Sequence, residues 1–190
     1  MGRVAVGKRT PVRPADPAAV RLVVRLAVPA DAPLLLDLQM RLDEQTPFML
    51  LSPGERPHDC AALAQRLHGQ EGTGSFDLVA ECGDDGSLVG WLGVKVAPYR
   101  RARHTGYVAL GVEAAACGRG VGSALLLAAE AEALRRDVRR LELTVTSDNA
   151  RALELYLRNG YEREGMRRQA LWRDGTPVDE YYMARLLKDS

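Results

Sequence analysis

Cysteine is scarce in this chain of 190 residues: Cys60, Cys82 and Cys117 are the only three, and none stands in a CxxC or metal-ligand spacing. An odd, unpatterned set argues against a disulfide framework and for a reduced, intracellular setting. Long apolar runs are missing as well. Nothing approaches the roughly 18 consecutive apolar residues of a membrane helix, and there is no signal-peptide core. A soluble, cytoplasmic protein with no membrane partner is therefore expected. Neither charge sign is in excess: 26 Lys and Arg against 25 Asp and Glu leave +1. That is too weak a field to draw the protein to nucleic acid. Internal repeats and low-complexity stretches are also lacking in the body of the chain.

What is present is an ordinary globular mixture, 46% hydrophobic and 27% charged, enough for one domain with its own core. Residues 1–19 carry three prolines and four basic residues without apolar periodicity. They are expected to form a flexible tail ahead of a single domain over 20–190.

The run "VRLVVRLAV" from Val20 alternates like a strand, whereas Leu35, Leu38 and Leu42 recur at helical spacing. Residues 44–56, "EQTPFMLLSPGER", read as a loop, and "HDCAALAQRLHGQ" as a second helix. Two strands, "FDLVAECG" and "SLVGWLGVKVAPY", meet at the turn 84–86, and "HTGYVALGVE" is a third. A helix over 123–136 follows, then "VRRLELTVTS", with Leu141, Leu143 and Val145 on one face. A short helix from about 149 to 158 closes at Asn159-Gly160. The end of the chain reads as a hairpin turning at Asp174-Gly175. The helix 123–136 joins two strands expected to be parallel, while the flanking pairs are expected to be antiparallel. The predicted fold is α/β (mixed α+β), a mixed sheet of six to seven strands with helices on both faces.

Between the third of these strands and the long helix stands "CGRGVG", residues 117–122. A glycine turn at a helix start gathers unpaired N–H groups around one point and adds the positive end of the helix dipole. An anion such as a phosphate fits there, the donors being the N–H groups of Gly118, Arg119, Gly120, Val121, Gly122 and Ser123. The alternative is a tight strand-to-helix turn and nothing more. A dinucleotide fingerprint would need glycine where Ser123 stands, and a P-loop would need a lysine that is absent. A second motif follows one strand later. Asn149 and Tyr156 are seven apart, two helical turns, with Ala152 between them and Asn159-Gly160-Tyr161 after them. Leu153 and Leu157 of this helix can face the core. Taken singly, Asn149 caps a helix and Tyr156 is a half-buried aromatic.

Together the two motifs resemble the GCN5-related N-acetyltransferase (GNAT) superfamily, whose Arg/Gln-x-x-Gly-x-Gly/Ala turn is followed by Asn-x-x-Ala-x-x-x-Tyr. The likeness runs in element order from about 20 to 187 and is specific over 104–161. It departs at Cys117, where the family has Arg or Gln, and Arg119 is the available substitute charge. The resemblance implies a splayed sheet and acetyl-CoA as co-substrate, with its pyrophosphate on the turn 117–123. It places Leu110, Gly111 and Val112 along the cofactor, with an oxyanion donor among their N–H groups. Asn149 would bind pantetheine, and Tyr156 would act as the acid toward the departing sulfur. The reaction implied is direct acetyl transfer to a primary amine, of a small molecule or a peptide. A non-catalytic acyl-CoA-binding module on the same fold is the alternative.

A general base is less defined. His104, Glu113 and Glu81 are the side-chain candidates, and a water chain is the other option. No metal is expected, and His58 and His68 are assigned to surface or packing. Acceptor contacts are expected from 44–56, from 97–104 and from the terminal hairpin, where Glu44, Glu55, Asp179 and Glu180 would suit a cationic amine if they converge. Open sheet edges at that hairpin suit a homodimer.

Overall fold

The computed structural model describes residues 22–83 and 86–188. The expected tail 1–19 and most of the turn 84–86 lie outside the described residues. Strand β1 (Leu22–Leu26) leads through a short 3-10 turn into α1 (Ala32–Gln45), then α2 (Cys60–His68). Three strands follow, β2 (Phe76–Cys82), β3 (Ser87–Val96) and β4 (Thr105–Val112). Next come α3 (Val121–Arg135), β5 (Arg140–Thr146), α4 (Ala150–Arg158), β6 (Glu162–Arg173) and β7 (Thr176–Leu186).

The strands form one seven-stranded sheet in the order β1-β2-β3-β4-β5-β7-β6. Only β4 and β5 run parallel, joined by α3, and every other neighbouring pair is antiparallel. This is the expected architecture at the upper end of the expected strand count. The terminal hairpin turns where Asp174 and Gly175 both take positive φ, 49° and 76°, the backbone such a two-residue turn demands.

The sheet sorts its side chains by parity. Phe76, Leu78, Ala80, Leu92, Val94, Val108, Leu141 and Leu143 pack under α3 in the main core. Val79 and Leu88 turn the other way, onto Leu35, Leu38 and Leu42 of α1 and Leu63 and Leu67 of α2. The three α1 leucines foreseen from their spacing are fully buried, each stabilising the fold by roughly 1.5–3 kcal/mol. Helix α2 starts at an Asp59 cap whose carboxylate accepts the Ala62 N–H at 2.8 Å.

Helix α4 departs from the expected pattern. Leu153 and Tyr156 are buried, but Leu157 is exposed. The inner face is completed by Leu155, which fills the space that a side chain at Gly122 would need. A short helix touching both the sheet and α3 buries a wider arc than a single i, i+4 pair covers.

Candidate active site

Parallel strands β4 and β5 stay in register only over Thr105–Tyr107 and Arg140–Glu142. Beyond that β4 continues to Val112 and β5 to Thr146 with no pairing between them. The sheet is therefore parted in its middle, and the opening widens toward the start of α3. Main-chain direction alternates along β4. At the closed end the His104 carbonyl accepts the Arg140 N–H across to β5 at 3.0 Å, while just past Val112 the Glu113 N–H donates back to Val89 of β3 at 2.9 Å. By that alternation Leu110 and Val112 present their N–H groups to the gap, whereas Gly111 turns its own toward β3. Gly111 has a different reason to be glycine: a Cβ there would lie 2.5 Å from Leu42 Cδ1.

The gap opens onto the glycine turn. Gly118 and Gly120 take left-handed φ, 79° and 84°, which only glycine adopts without cost. The first main-chain N–H of the turn to find a carbonyl is that of Ala124, which donates to Gly120 at 2.9 Å. Those of Gly118 through Ser123 find no main-chain acceptor among the described residues. They form a cluster of donors at the N-terminus of a 15-residue helix, suited to an anion. Helix α3 begins at Val121, two residues earlier than expected, so Val121, Gly122 and Ser123 form its first turn.

Gly122 is not part of the bare cradle. A Cβ on it would meet Leu155 Cδ2 at 2.9 Å, so its absent side chain lets α3 and α4 close together. The Ser123 hydroxyl accepts from the Asn159 carboxamide at 3.2 Å across the same contact. Cys117 points its thiol back at the Val112 carbonyl, 3.6 Å away, tying the turn to the strand. Arg119 is exposed. A second cation, unnoticed in the sequence, lies beside it. The Arg151 guanidinium is 3.7 Å from where a Gly118 Cβ would be and makes no ion pair with the described residues. Its signal was its place two residues after Asn149, in the first turn of α4.

Asn149 caps α4, its side-chain oxygen accepting the Ala152 N–H at 3.1 Å. That leaves the amide NH₂ as the donor for a ligand. Tyr156 is buried, its ring 5.6 Å from that of Tyr161 and tilted against it. Burial, and then the nearby Tyr107, push the Tyr156 phenol well above the usual tyrosine range, so it stays protonated and able to donate.

The proposed side-chain bases are not brought to the gap. His104 is exposed at the closed end of the β4–β5 pair, with Leu110 six residues on, roughly 20 Å at strand rise. Glu113 forms a 2.6 Å ion pair with Arg41 of α1, and Glu81 a 2.7 Å hydrogen bond with Arg25. The Glu113 carboxylate fastens the sheet to α1, and that of Glu81 joins β2 to β1. The 97–104 segment also lies at the closed end of the pair.

The four acidic residues do not converge. Glu55 accepts the Ser52 N–H at 2.7 Å within its own loop, and Asp179 accepts the Gln169 N–H at 2.8 Å. Glu44 is exposed, and Glu180 is buried on β7, beyond β5 from the gap, where it pairs with Arg167 at 2.7 Å. The 46–59 loop does reach the open end. Phe48 lies under the Arg173 guanidinium at 5.1 Å, and Arg173 pairs with Asp148 at 2.6 Å, next to Asn149. His58 and His68 are exposed, and the described residues contain no cluster of three His, Cys, Asp or Glu that could hold a metal. No helix among them is long and apolar enough to cross a membrane.

A mixed sheet parted at its one parallel pair, draining into a glycine turn at a helix N-terminus, defines an α/β class built to admit an elongated ligand with an anionic end. Comparison with known proteins agrees. The acetyltransferase (GNAT) family pattern matches residues 39–161. The chain belongs to this family. It is 39% identical over 105 residues to the L-amino acid N-acetyltransferase AaaT of Escherichia coli (strain K12), covering 54% of this chain and 64% of that one. It is 39% identical over 84 residues to the mycothiol acetyltransferase of Jonesia denitrificans, 44% of this chain and 26% of that one. The matches thus span less than two thirds of either relative. In three dimensions the acetyltransferase of GNAT family from Streptococcus pneumoniae superposes with a TM-score of 0.83 at 26% identity, covering 88% of this chain and all of that one.

Proposed function

We propose that the protein is an acetyl-CoA-dependent N-acetyltransferase that passes the acetyl group directly to a primary amine within a ternary complex. The observation that carries this reading is the parting of β4 from β5 after Tyr107 and Glu142, leading into the unpaired N–H groups of Gly118 to Ser123. The fit to coenzyme A is specific in kind. Left-handed glycines and a helix start offer a diphosphate its donors, Arg151 and Arg119 add charge, and the gap is lined by peptide groups suited to an extended amide-bearing arm.

Bound there, acetyl-CoA would supply the activated thioester. The residues of the chain have separate tasks. The amide NH₂ of Asn149 binds the pantetheine arm. The N–H groups of Leu110 and Val112 donate to the carbonyl oxygen as negative charge develops on it. Tyr156 holds its proton in a buried site and gives it to the sulfur that leaves. With Glu113 and Glu81 engaged by Arg41 and Arg25 and His104 beside the closed end of the pair, the amine is taken to lose its proton through water. The same reading takes residues 20–190 as a single cytoplasmic domain without resident metal, nucleic acid or membrane partner. The outer edge of β6 is its homodimer contact.

The test is calorimetric titration with acetyl-CoA, followed by thiol release with a panel of amines. The name of the Escherichia coli relative puts L-amino acids first in that panel. Binding without thiol release from any amine would favour a non-catalytic acyl-CoA-binding module, and failure to bind would end the proposal.

A further inference from the structure

Tyr107 is the last residue of β4 in register with β5. Its side chain does not stand on its own partner. It leans along the opening to Thr144, two residues beyond the last paired position of β5, with the two hydroxyl oxygens 2.7 Å apart. The phenol thus bridges the point where the strands separate. Thr144 Oγ1 in turn lies 3.2 Å from Oε1 of Glu180 on β7, and the other oxygen of that carboxylate pairs with Arg167 of β6 at 2.7 Å. Glu180 is 7% exposed, one of the few buried charges of the protein. The Arg167 guanidinium is steadied over the Tyr182 ring, 5.6 Å from its centroid.

The direction of this chain follows from proton counting. A carboxylate at neutral pH accepts and does not donate, and a threonine hydroxyl has one proton. Thr144 gives that proton to Glu180. Tyr107 must therefore give its own to Thr144, which leaves the lone pairs of the phenol oxygen as its remaining hydrogen-bonding capacity. Tyr107 is 41% exposed, so a ligand can approach its side chain. Lys95 of β3 and Glu142 of β5 flank it in register, and no hydrogen bond joins either of them to its oxygen. Tyr156, in the core on the opposite face of the sheet, is close enough for Tyr107 to help hold its phenol above the usual range, after the larger effect of burial.

We propose that the Tyr107 oxygen, oriented through Thr144 by Glu180, receives an N–H of the acceptor amine and holds its nitrogen at the point where β4 and β5 part. This rests on the acetyltransferase reading above. Tyr107 touches the substrate, while Thr144 and Glu180 are positioning residues that act through it. Tyr107 keeps its proton throughout, and no bond is made or broken on it. The arrangement sets the amine on one side of the gap and the thiol-protonating Tyr156 on the other, as direct transfer requires.

The experiment uses the full chain labelled with [¹³Cζ]tyrosine, saturated with coenzyme A and titrated with a mixture of the twenty L-amino acids as the amine probe. Calorimetric binding of coenzyme A tests the parent reading by itself, and its absence overturns both. Given that binding, the resonance missing from Tyr107→Phe should shift on adding the probe. With the amino acid turned over fastest, Tyr107→Phe and Thr144→Val should raise the amine KM about tenfold. The Kd for coenzyme A should stay within about twofold, and Thr144→Ser should restore the KM. Glu180→Gln should behave like Tyr107→Phe although both hydroxyls remain, because a carboxamide can donate to Thr144 and reverse the chain. An unmoved Tyr107 resonance, or an amine KM unchanged in Tyr107→Phe and Glu180→Gln while coenzyme A still binds, overturns the proposal.

Discussion

Replacing Tyr156 by phenylalanine separates chemistry from packing more cleanly than any other single change. The ring is 7% exposed and packed against Tyr161, and phenylalanine keeps all of that apolar contact. The hydroxyl forms no hydrogen bond with the described residues, so no partner is stranded by its loss and stability should change by less than about 0.5 kcal/mol. In the proposed reading coenzyme A is held by the α3 turn and by Asn149, so its Kd should move less than about threefold. Turnover is another matter. Losing a positioned general acid should lower kcat by about 10²- to 10⁴-fold, equivalent to roughly 3–5 kcal/mol of barrier. The pH dependence adds a second signature. Burial holds the phenol protonated far into the alkaline range, so the deficit should be the same from about pH 6 to pH 10. Thiol release measured across that range, beside calorimetry with acetyl-CoA and a thermal melt, gives all the quantities. A variant that turns over within threefold of the parent would show that the sulfur needs no acid from Tyr156.

Three further outcomes follow from the same geometry. Gly120→Ala forces φ +84° on a residue with a Cβ but meets no neighbour, so it should cost about 1–2 kcal/mol of stability and weaken acetyl-CoA binding. Gly122→Ala presses on the flexible end of Leu155 at 2.9 Å, so it should cost about 1 kcal/mol with far less effect on binding. Denaturant melts and calorimetry on the two variants would distinguish cradle from packing. Arg151→Ala should loosen acetyl-CoA several-fold at low salt, less at high salt, without lowering the melting temperature, since Arg151 has no ion-pair partner among the described residues to lose. Tyr156 and Tyr161 both have folded-state phenols raised above the value of about 10 they take when unfolded. Above pH 10 the unfolded chain ionises and the folded one does not, so stability should fall with rising pH by about 1.4 kcal/mol per unit for each phenol. Tyr161→Phe, which removes a buried hydroxyl without a partner, should flatten that fall and leave neutral-pH stability equal or slightly higher.

Several elements of the site were readable before any coordinates. The glycine turn carries its meaning locally, because left-handed φ and a following helix need only the residues 117–124. The spacing of Asn149 and Tyr156 is equally local, being two turns of one helix. Most of the misreadings involve partners distant in sequence. Glu113 reads as a carboxylate at the end of the β4 strand until Arg41, 72 residues away, is found against it. His104 reads as a titratable group on the right strand, and only the pairing of Thr105 with Arg140 shows that this end is shut. Gly122 reads as bare backbone for a phosphate, yet Leu155 occupies the space. Tyr107 and Thr144 gave no signal at all, since an alternating strand with a tyrosine or a threonine is the commonest kind.

From the amino-acid order alone came the element sequence, the glycine turn ahead of α3 and the helix that carries Asn149 and Tyr156. Each depends on backbone preferences and on periodicities of 3.6 or 2, which act over a few residues. Tertiary structure alone decided which carboxylates are neutralised, where β4 leaves β5, and which hydroxyls line up across the opening. Those are questions of distance between segments far apart in the chain. Coulomb forces and hydrogen bonds depend on that distance and take no account of separation along the sequence.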